Sequence, residues 1–301
     1  MVTGSGPSDG VIDRRLVLGD GRVVWYRLYG DPAGVPVVFQ SGSPGSRWKR
    51  PEVARAAERA GVLLAVLDRP GYGGSTRLKG RRVSDVCVDV TALADSHGWE
   101  RFAVAGGSGG GPHALACAAL LPGRVTRCAV SACVAPPLTT GPEPSANEDD
   151  PRRNSTSWLA ARGEERLRPS IEAASRSIWA QIEAGGPELP RQPGDVSPAG
   201  PALEDPAGMA RVRATFVDSH DGWVDDNIAF AAGWGFDLAS VGVPVSLGFG
   251  RHDHRSRAHA RVLSADLRDA VVVEQDGGHI QDEQSLQTML TWCAAQDPGA
   301  D

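Results

Sequence analysis

Residues 102–121 constrain the fold of this chain more than any other stretch. Phe102-Ala103-Val104-Ala105 is a short apolar run that reads as a buried strand, and the alanine- and leucine-rich run Ala114–Leu121 reads as a buried helix. Between them lies Gly106-Gly107-Ser108-Gly109-Gly110, five small residues matching G-x-S-x-G. A serine on a sharp strand-to-helix turn takes strained backbone angles, and its neighbours must be small for the chain to pass. The Ser108 hydroxyl then projects above a sheet, and the Gly109 amide points at the helix start. A plain glycine-rich turn carries the same letters, so the assignment depends on the rest of the chain. Pro112 stands where a dinucleotide fingerprint needs a third glycine, and the Lys-Ser/Thr pair of a P-loop is missing.

The remaining elements set that context. Leu16–Leu18 and Val23–Tyr29 flank a Gly/Asp turn and read as a hairpin. Val35–Gln40 is an apolar strand that empties into Ser41-Gly42-Ser43-Pro44-Gly45-Ser46. A helix over 51–60 precedes the fully apolar strand Val62–Leu67, which runs into Asp68–Ser75. Val83–His97 has helical spacing, and Val125–Val134 is a further strand. Alternation of this kind predicts a mostly parallel central sheet with helices on both faces, an α/β fold. Ligands of such sheets bind beyond the carboxyl ends of the strands, where the loops at 41–46, 68–75 and 106–110 converge.

From about Leu138 the rhythm changes. Residues 155–184 carry one apolar helical face, Gly185–Pro206 holds six prolines, and helical spacing resumes over 207–219 and 223–232. Alternation returns with Val243–Phe249, a helix over 256–267, Val271–Glu274 and a last helix over 282–296. The expected organisation is a core of residues 1–137 and 236–301, interrupted by a helical cap over 138–235.

Composition narrows the functional classes. The 301 residues carry a net charge of −6 with acids and bases interspersed, which argues against nucleic-acid binding. The longest apolar run is too short to span a bilayer, and residues 1–10 lack the features of a targeting segment, so a soluble cytoplasmic protein is expected. Five cysteines without a C-x-x-C pair, and no histidine at metal-ligand spacing, read as buried small hydrophobes; no metal is expected.

A serine hydroxyl needs a base to take its proton and a carboxylate to orient that base. Val243–Phe249 runs into Gly250-Arg251-His252-Asp253, and Val271–Glu274 into Asp276-Gly277-Gly278-His279. The order Ser108, Asp253, His279 places acid and base each just after a strand. Asp253 is preferred to Asp276 as the acid, because a residue three positions before the base shares its loop.

At these residues the chain resembles the α/β-hydrolase superfamily, in its cap-bearing branch of proline iminopeptidase-like, esterase-like and cofactor-free haloperoxidase-like members. Ser41-Gly42-Ser43-Pro44-Gly45 corresponds to H-G-x-P-G and Asp68–Ser75 to D-R-P-G-Y-G-x-S; the elbow, Gly250-x-x-Asp253 and Gly278-His279 also match. Gly222–Leu238 resembles the stretch leading out of the cap, and the likeness fades over 138–219. Two departures stand out: Ser41 replaces the usual histidine, and His254-Arg255-Ser256 follows Asp253. The resemblance implies an oxyanion hole from the amides of Ser43 and Gly109, Pro44 having no N–H.

The expected activity is hydrolysis of a small-molecule ester, amide, lactone or thioester without a cofactor. Ser41, Gly42, Trp179, His220 and Trp234 are candidate substrate contacts. Lyase, cyclase or C–C hydrolase chemistry with the same triad, and a non-catalytic receptor on the same fold, are the alternatives. His113 is read as a satisfied core histidine, and Asp68 with Arg69 as a turn braced by a salt bridge. The oligomeric state is not legible.

Overall fold

The computed structural model describes residues 13–136, 155–183, 215–216 and 219–295, with the backbone alone for 177–183. Eight strands form one sheet: β1 (Arg14–Val17), β2 (Val23–Gly30), β3 (Val35–Gln40), β4 (Val62–Leu67), β5 (Phe102–Gly107), β6 (Val125–Ser131), β7 (Val245–Gly250) and β8 (Ala270–Gln275). Their order is β1-β2-β4-β3-β5-β6-β7-β8. Only β2 runs against its neighbours, because the tight turn after Leu18 folds it back on β1; every pair from β4 to β8 is parallel. The predicted mostly parallel α/β fold is therefore the fold observed.

Strands β3, β4 and β5 in the middle of the sheet read as apolar runs because both faces are covered. Val38, Val104 and Val130 face one cluster that includes Val90 and Leu93 of α2 (Val86–Ser96) and Leu115 of α3 (Gly111–Leu120). Their neighbours Val37, Ala103 and Ala129 face the other, with Val53 and Ala56 of α1 (Pro51–Arg59) and, near the carboxyl terminus, Leu286 and Leu290 of a final helix over Glu283–Ala294. All five cysteines are free and buried.

Between β6 and β7 the chain leaves the sheet and forms α4 (Thr156–Ala160), α5 (Glu164–Glu183) and α6 (Asp221–Ala231). The helical stretch expected over 155–184 forms two helices, and Gly163, with φ of 95°, lies between them. These helices have a small core of their own, built from Ala160, Leu167, Ile171 and Val224. The expected proline-rich loop at 185–206 and most of the expected helix over 207–219 lie outside the described residues. After β7 come α7 (His254–Asp266), β8 and α8 (Glu283–Ala294). Because β3 to β8 are parallel, the loops that leave β3, β4, β5, β7 and β8 meet at one edge.

Candidate active site

Ser108 leaves β5 with φ of 50°, in the left-handed region that costs a non-glycine residue about 1–3 kcal/mol. The small neighbours make that turn possible. A Cβ on Gly106 would lie 2.6 Å from the Gly110 carbonyl oxygen, and one on Gly110 would collide with the Gln40 carbonyl at the end of β3. Helix α3 starts at Gly111, three residues before the sequence expectation, because Pro112 falls in its first turn, where a missing N–H costs nothing.

His279 arrives on the loop after β8, its Nε2 3.0 Å from Ser108 Oγ and its Nδ1 2.7 Å from Asp253 Oδ2. A carboxylate only accepts, so the ring proton resides on Nδ1 and the Nε2 lone pair is left for the serine hydroxyl. Asp253 caps α7: its Oδ1 accepts from the Ser256 amide at 3.0 Å and its Oδ2 from the Ser256 hydroxyl. Ser256, part of the departure from the family pattern, thus orients the acid. Burial favours the neutral carboxyl, yet the hydrogen bonds from His279 and Ser256 outweigh it and hold Asp253 below the usual carboxylate range. Asp276 instead pairs with Arg251 at 2.7 Å on the surface.

The loop after β3 lies over the elbow. A Cβ on Gly42 would sit 3.5 Å from Ser108 Cβ, and one on Gly109 would sit 3.1 Å from the Ser43 nitrogen. Among the described residues, neither the Ser43 nor the Gly109 amide donates to a protein acceptor. Ser41 is buried and braces the loop from below: its hydroxyl donates to the Ser46 carbonyl at 3.0 Å and accepts from Lys49 Nζ at 2.6 Å. Burial, and then the Arg69 charge, push the Lys49 ammonium down to about 7.

Several sequence expectations are corrected here. Asp68 and Arg69 do not pair with each other: Asp68 holds Arg47, while Arg69 reaches Asp226 of α6 at 2.6 Å. Trp234, expected as a substrate contact, is 5% exposed and packs in the main core beside Phe236. His220 precedes α6 and its ring rests against Phe216 at 5.3 Å. The side chain of Trp179 lies outside the described residues. His113 is a buried core histidine as expected, with Nδ1 3.2 Å from the Val83 carbonyl and Nε2 3.2 Å from Asp226 Oδ1. Sequence reasoning placed Tyr72 and Asp226 in stretches that carry the resemblance without giving them a role, and missed Arg81 and Lys49 around this loop. The one available signal was an adjacent pair of acids, Asp225-Asp226, followed by the apolar stretch Ile228–Ala231 of that helix.

Fold and site define a mostly parallel α/β protein with a serine, a histidine and a carboxylate in hydrogen-bonded sequence at the carboxyl edge of its sheet. Residues 35–283 match the family described as alpha/beta hydrolase fold. The chain belongs to that family. A probable proline iminopeptidase of Streptomyces coelicolor is 35% identical over 119 residues, which is 37% of this chain and 36% of the relative, so the match spans about a third of that relative's length. A hydrolase from Pseudomonas aeruginosa PA01 superposes with a TM-score of 0.68 at 18% identity, covering 94% of this chain and 98% of that one. The enol-lactonase from Burkholderia xenovorans LB400 gives 0.64 at 20% identity, covering 93% and 97%. Among the described residues, no helix is long and apolar enough to cross a membrane, and no group of three or more His, Cys, Asp or Glu side chains could hold a metal ion.

Proposed function

We propose that the chain is a serine hydrolase acting on a small-molecule ester, amide, lactone or thioester through an acyl-enzyme on Ser108. The observation that carries the reading is the continuous path Ser108–His279–Asp253, with contacts of 3.0 and 2.7 Å, next to a loop and elbow whose Ser43 and Gly109 amides donate to no acceptor among the described residues. In this mechanism Ser108 Oγ attacks the carbonyl carbon as His279 Nε2 takes its proton. The oxyanion receives hydrogen bonds from the Ser43 and Gly109 amides, a contribution of about 3 kcal/mol per donor. His279 returns the proton to the departing alkoxide, amine or thiolate, then activates a water that splits the acyl-enzyme by the reverse sequence. Asp253 keeps the imidazole in the required tautomer. The chemistry needs no cofactor, and the helices between β6 and β7 act as a cap that selects the substrate.

The test is treatment with an organophosphonate followed by intact mass and peptide mapping. Ser108 Oγ forms a bond to phosphorus, the leaving group departs with the phosphorus–oxygen bond pair, and His279 accepts the serine proton. One adduct on Ser108 is expected, absent in Ser108→Ala, strongly slowed in His279→Ala and slowed by acid, which protonates the base. A screen of esters, lactones, amides and thioesters with Ser108→Ala as the blank then finds the substrate class. An intact, folded protein that takes up no probe contradicts a serine enzyme. An adduct combined with inertness to every acyl substrate moves the assignment to lyase or cyclase chemistry.

A further inference from the structure

A dense polar cluster lies behind the oxyanion loop and is centred on a residue from outside the core. Asp226 projects from α6 and is fully buried. Its Oδ2 accepts from Arg69 Nη2 at 2.6 Å, from Tyr72 Oη at 3.0 Å and from the Ser43 hydroxyl. Its Oδ1 accepts from Arg81 Nη2 at 2.7 Å and from Arg69 Nε at 3.3 Å, with His113 Nε2 at 3.2 Å. Burial disfavours the charge, but Arg69 and Arg81 more than offset it, and the carboxyl is held well below its usual range.

An ion pair that only ties α6 to the core needs none of this convergence. A buried charge pair of this kind is often no more stabilising than apolar packing of the same volume. What apolar side chains cannot supply is direction, and the partners here are directional. The Ser43 hydroxyl donates to Asp226 and accepts from Arg69 Nη2 at 3.0 Å, so its rotamer is fixed at both ends. The same guanidinium donates to the Gly42 carbonyl at 3.1 Å and to the Ser41 carbonyl. Three successive residues of the loop therefore take their position from Arg69, and Arg69 takes its orientation from Asp226.

We propose that Asp226 is a positioning residue for the oxyanion loop: by holding the Ser43 hydroxyl and the Arg69 guanidinium together, it fixes the Ser43 amide opposite Gly109. The proposal rests on the serine hydrolase reading, within which it assigns a rate-setting role to a residue outside the α/β core that touches no reacting atom. Donors aimed at a developing charge act only when their geometry is set in advance, so a loosened loop lowers the rate of the chemical step more than the affinity for substrate.

The experiment measures phosphonylation of Ser108 by a chromogenic aryl phosphonate over a range of probe concentrations. It compares the wild type, Ser43→Ala, Asp226→Asn and the double variant, each shown to be folded by circular dichroism and thermal melting. Ser43→Ala keeps the backbone amide and loses the hydroxyl with its links to Asp226 and Arg69. Each single substitution is expected to lower the maximal rate by about 10–100-fold with a half-saturation concentration within about threefold of wild type. The double variant is expected to be no more than about threefold slower than the slower single, because both break one linkage. Single variants that react at the wild-type rate overturn the proposal while leaving the hydrolase reading intact, as do effects that multiply in the double variant. Should Asp226→Asn not fold, Ser43→Ala alone decides: a wild-type maximal rate overturns the proposal, and a lowered rate with unchanged half-saturation supports it. A folded wild type that gives no adduct overturns the hydrolase reading and this proposal with it.

Discussion

In the proposed mechanism His279 serves Ser108 only while its Nδ1 carries the proton, and the 2.7 Å contact with Asp253 is what keeps it there. Asp253→Asn presents an N–H or a weaker acceptor to that nitrogen and favours the opposite tautomer. Turnover of whichever acyl substrate the screen identifies is expected to fall by about 10⁴, with the fold retained. Asp276→Asn is expected to stay within about twofold of wild type, since Asp276 pairs with Arg251 at the surface. Steady-state kinetics of the two variants decides, and a loss confined to Asp276→Asn would reverse the assignment. That Ser108, Asp253 and His279 meet was legible because each lies just after a strand, where sequence spacing and spatial position coincide. Asp226 was not: its bond to Ser43 joins residues 183 positions apart, and no local pattern announces a contact of that range. Nor does a short-range pattern show that Trp234 is enclosed by the main core.

At the scale of elements, α5 and α6 are fastened to the core by charge as well as by apolar contact. Arg77, on the loop after β4, pairs with Asp225 at 2.8 Å, Asp221 at 3.2 Å and Glu164 at 3.2 Å; Lys79 and Arg168 also bind Glu164. Hydrogen bonds from Arg168, Lys79 and Arg77 hold the Glu164 carboxyl down to about 2. Single exposed pairs contribute little, whereas one guanidinium shared by three carboxylates on two helices acts as a fastener. Arg77→Ala is expected to speed amide hydrogen exchange in residues 164–176 and in α6 by about tenfold, with β3–β5 unchanged and global stability lowered by about 1 kcal/mol or less. Equal acceleration in the central strands would show that the cluster supports the whole fold instead. Strands and core helices were legible to within a few residues because a fully covered parallel strand is an apolar run and a covering helix keeps its period. The separation of α4 from α5 at Gly163 was not legible, since the apolar helical face read from the sequence begins only at Ile171.

For the whole molecule, the mostly parallel sheet, the converging loops and the helices on both faces followed from alternation, whereas the strand order did not, and the pH dependence of stability rests on contacts that only the folded chain makes. Lys49 is half-buried, its ammonium bound to the Ser41 hydroxyl at 2.6 Å and 5.3 Å from the centre of the Phe39 ring. No carboxylate lies within salt-bridge distance among the described residues. Burial, followed by repulsion from Arg69 and Arg50, lowers its affinity for a proton to about 7, with Asp68 acting in opposition. In the unfolded chain the amine keeps its proton up to the ordinary lysine range. Below about 7 both states carry the proton, and Lys49 adds nothing to the slope of stability against pH. Above it the unfolded chain binds a proton that the native state has released, so the Lys49 contribution grows with pH. Partial exposure reduces the effect, and we expect on the order of 1 kcal/mol between pH 7 and pH 9. Rising pH also makes a chain of net charge −6 more negative, and that self-repulsion works the other way. The difference between wild type and Lys49→Met isolates the term, because both carry the same remaining charges. Urea titrations of the two proteins at pH 6, 7, 8 and 9 provide the measurement: stability of wild type relative to Lys49→Met is expected to be level up to pH 7 and to climb above it. A difference that stays level to pH 9 would mean that the Lys49 amine is ionised in the native state, and that the brace beneath Ser41 is a full positive charge.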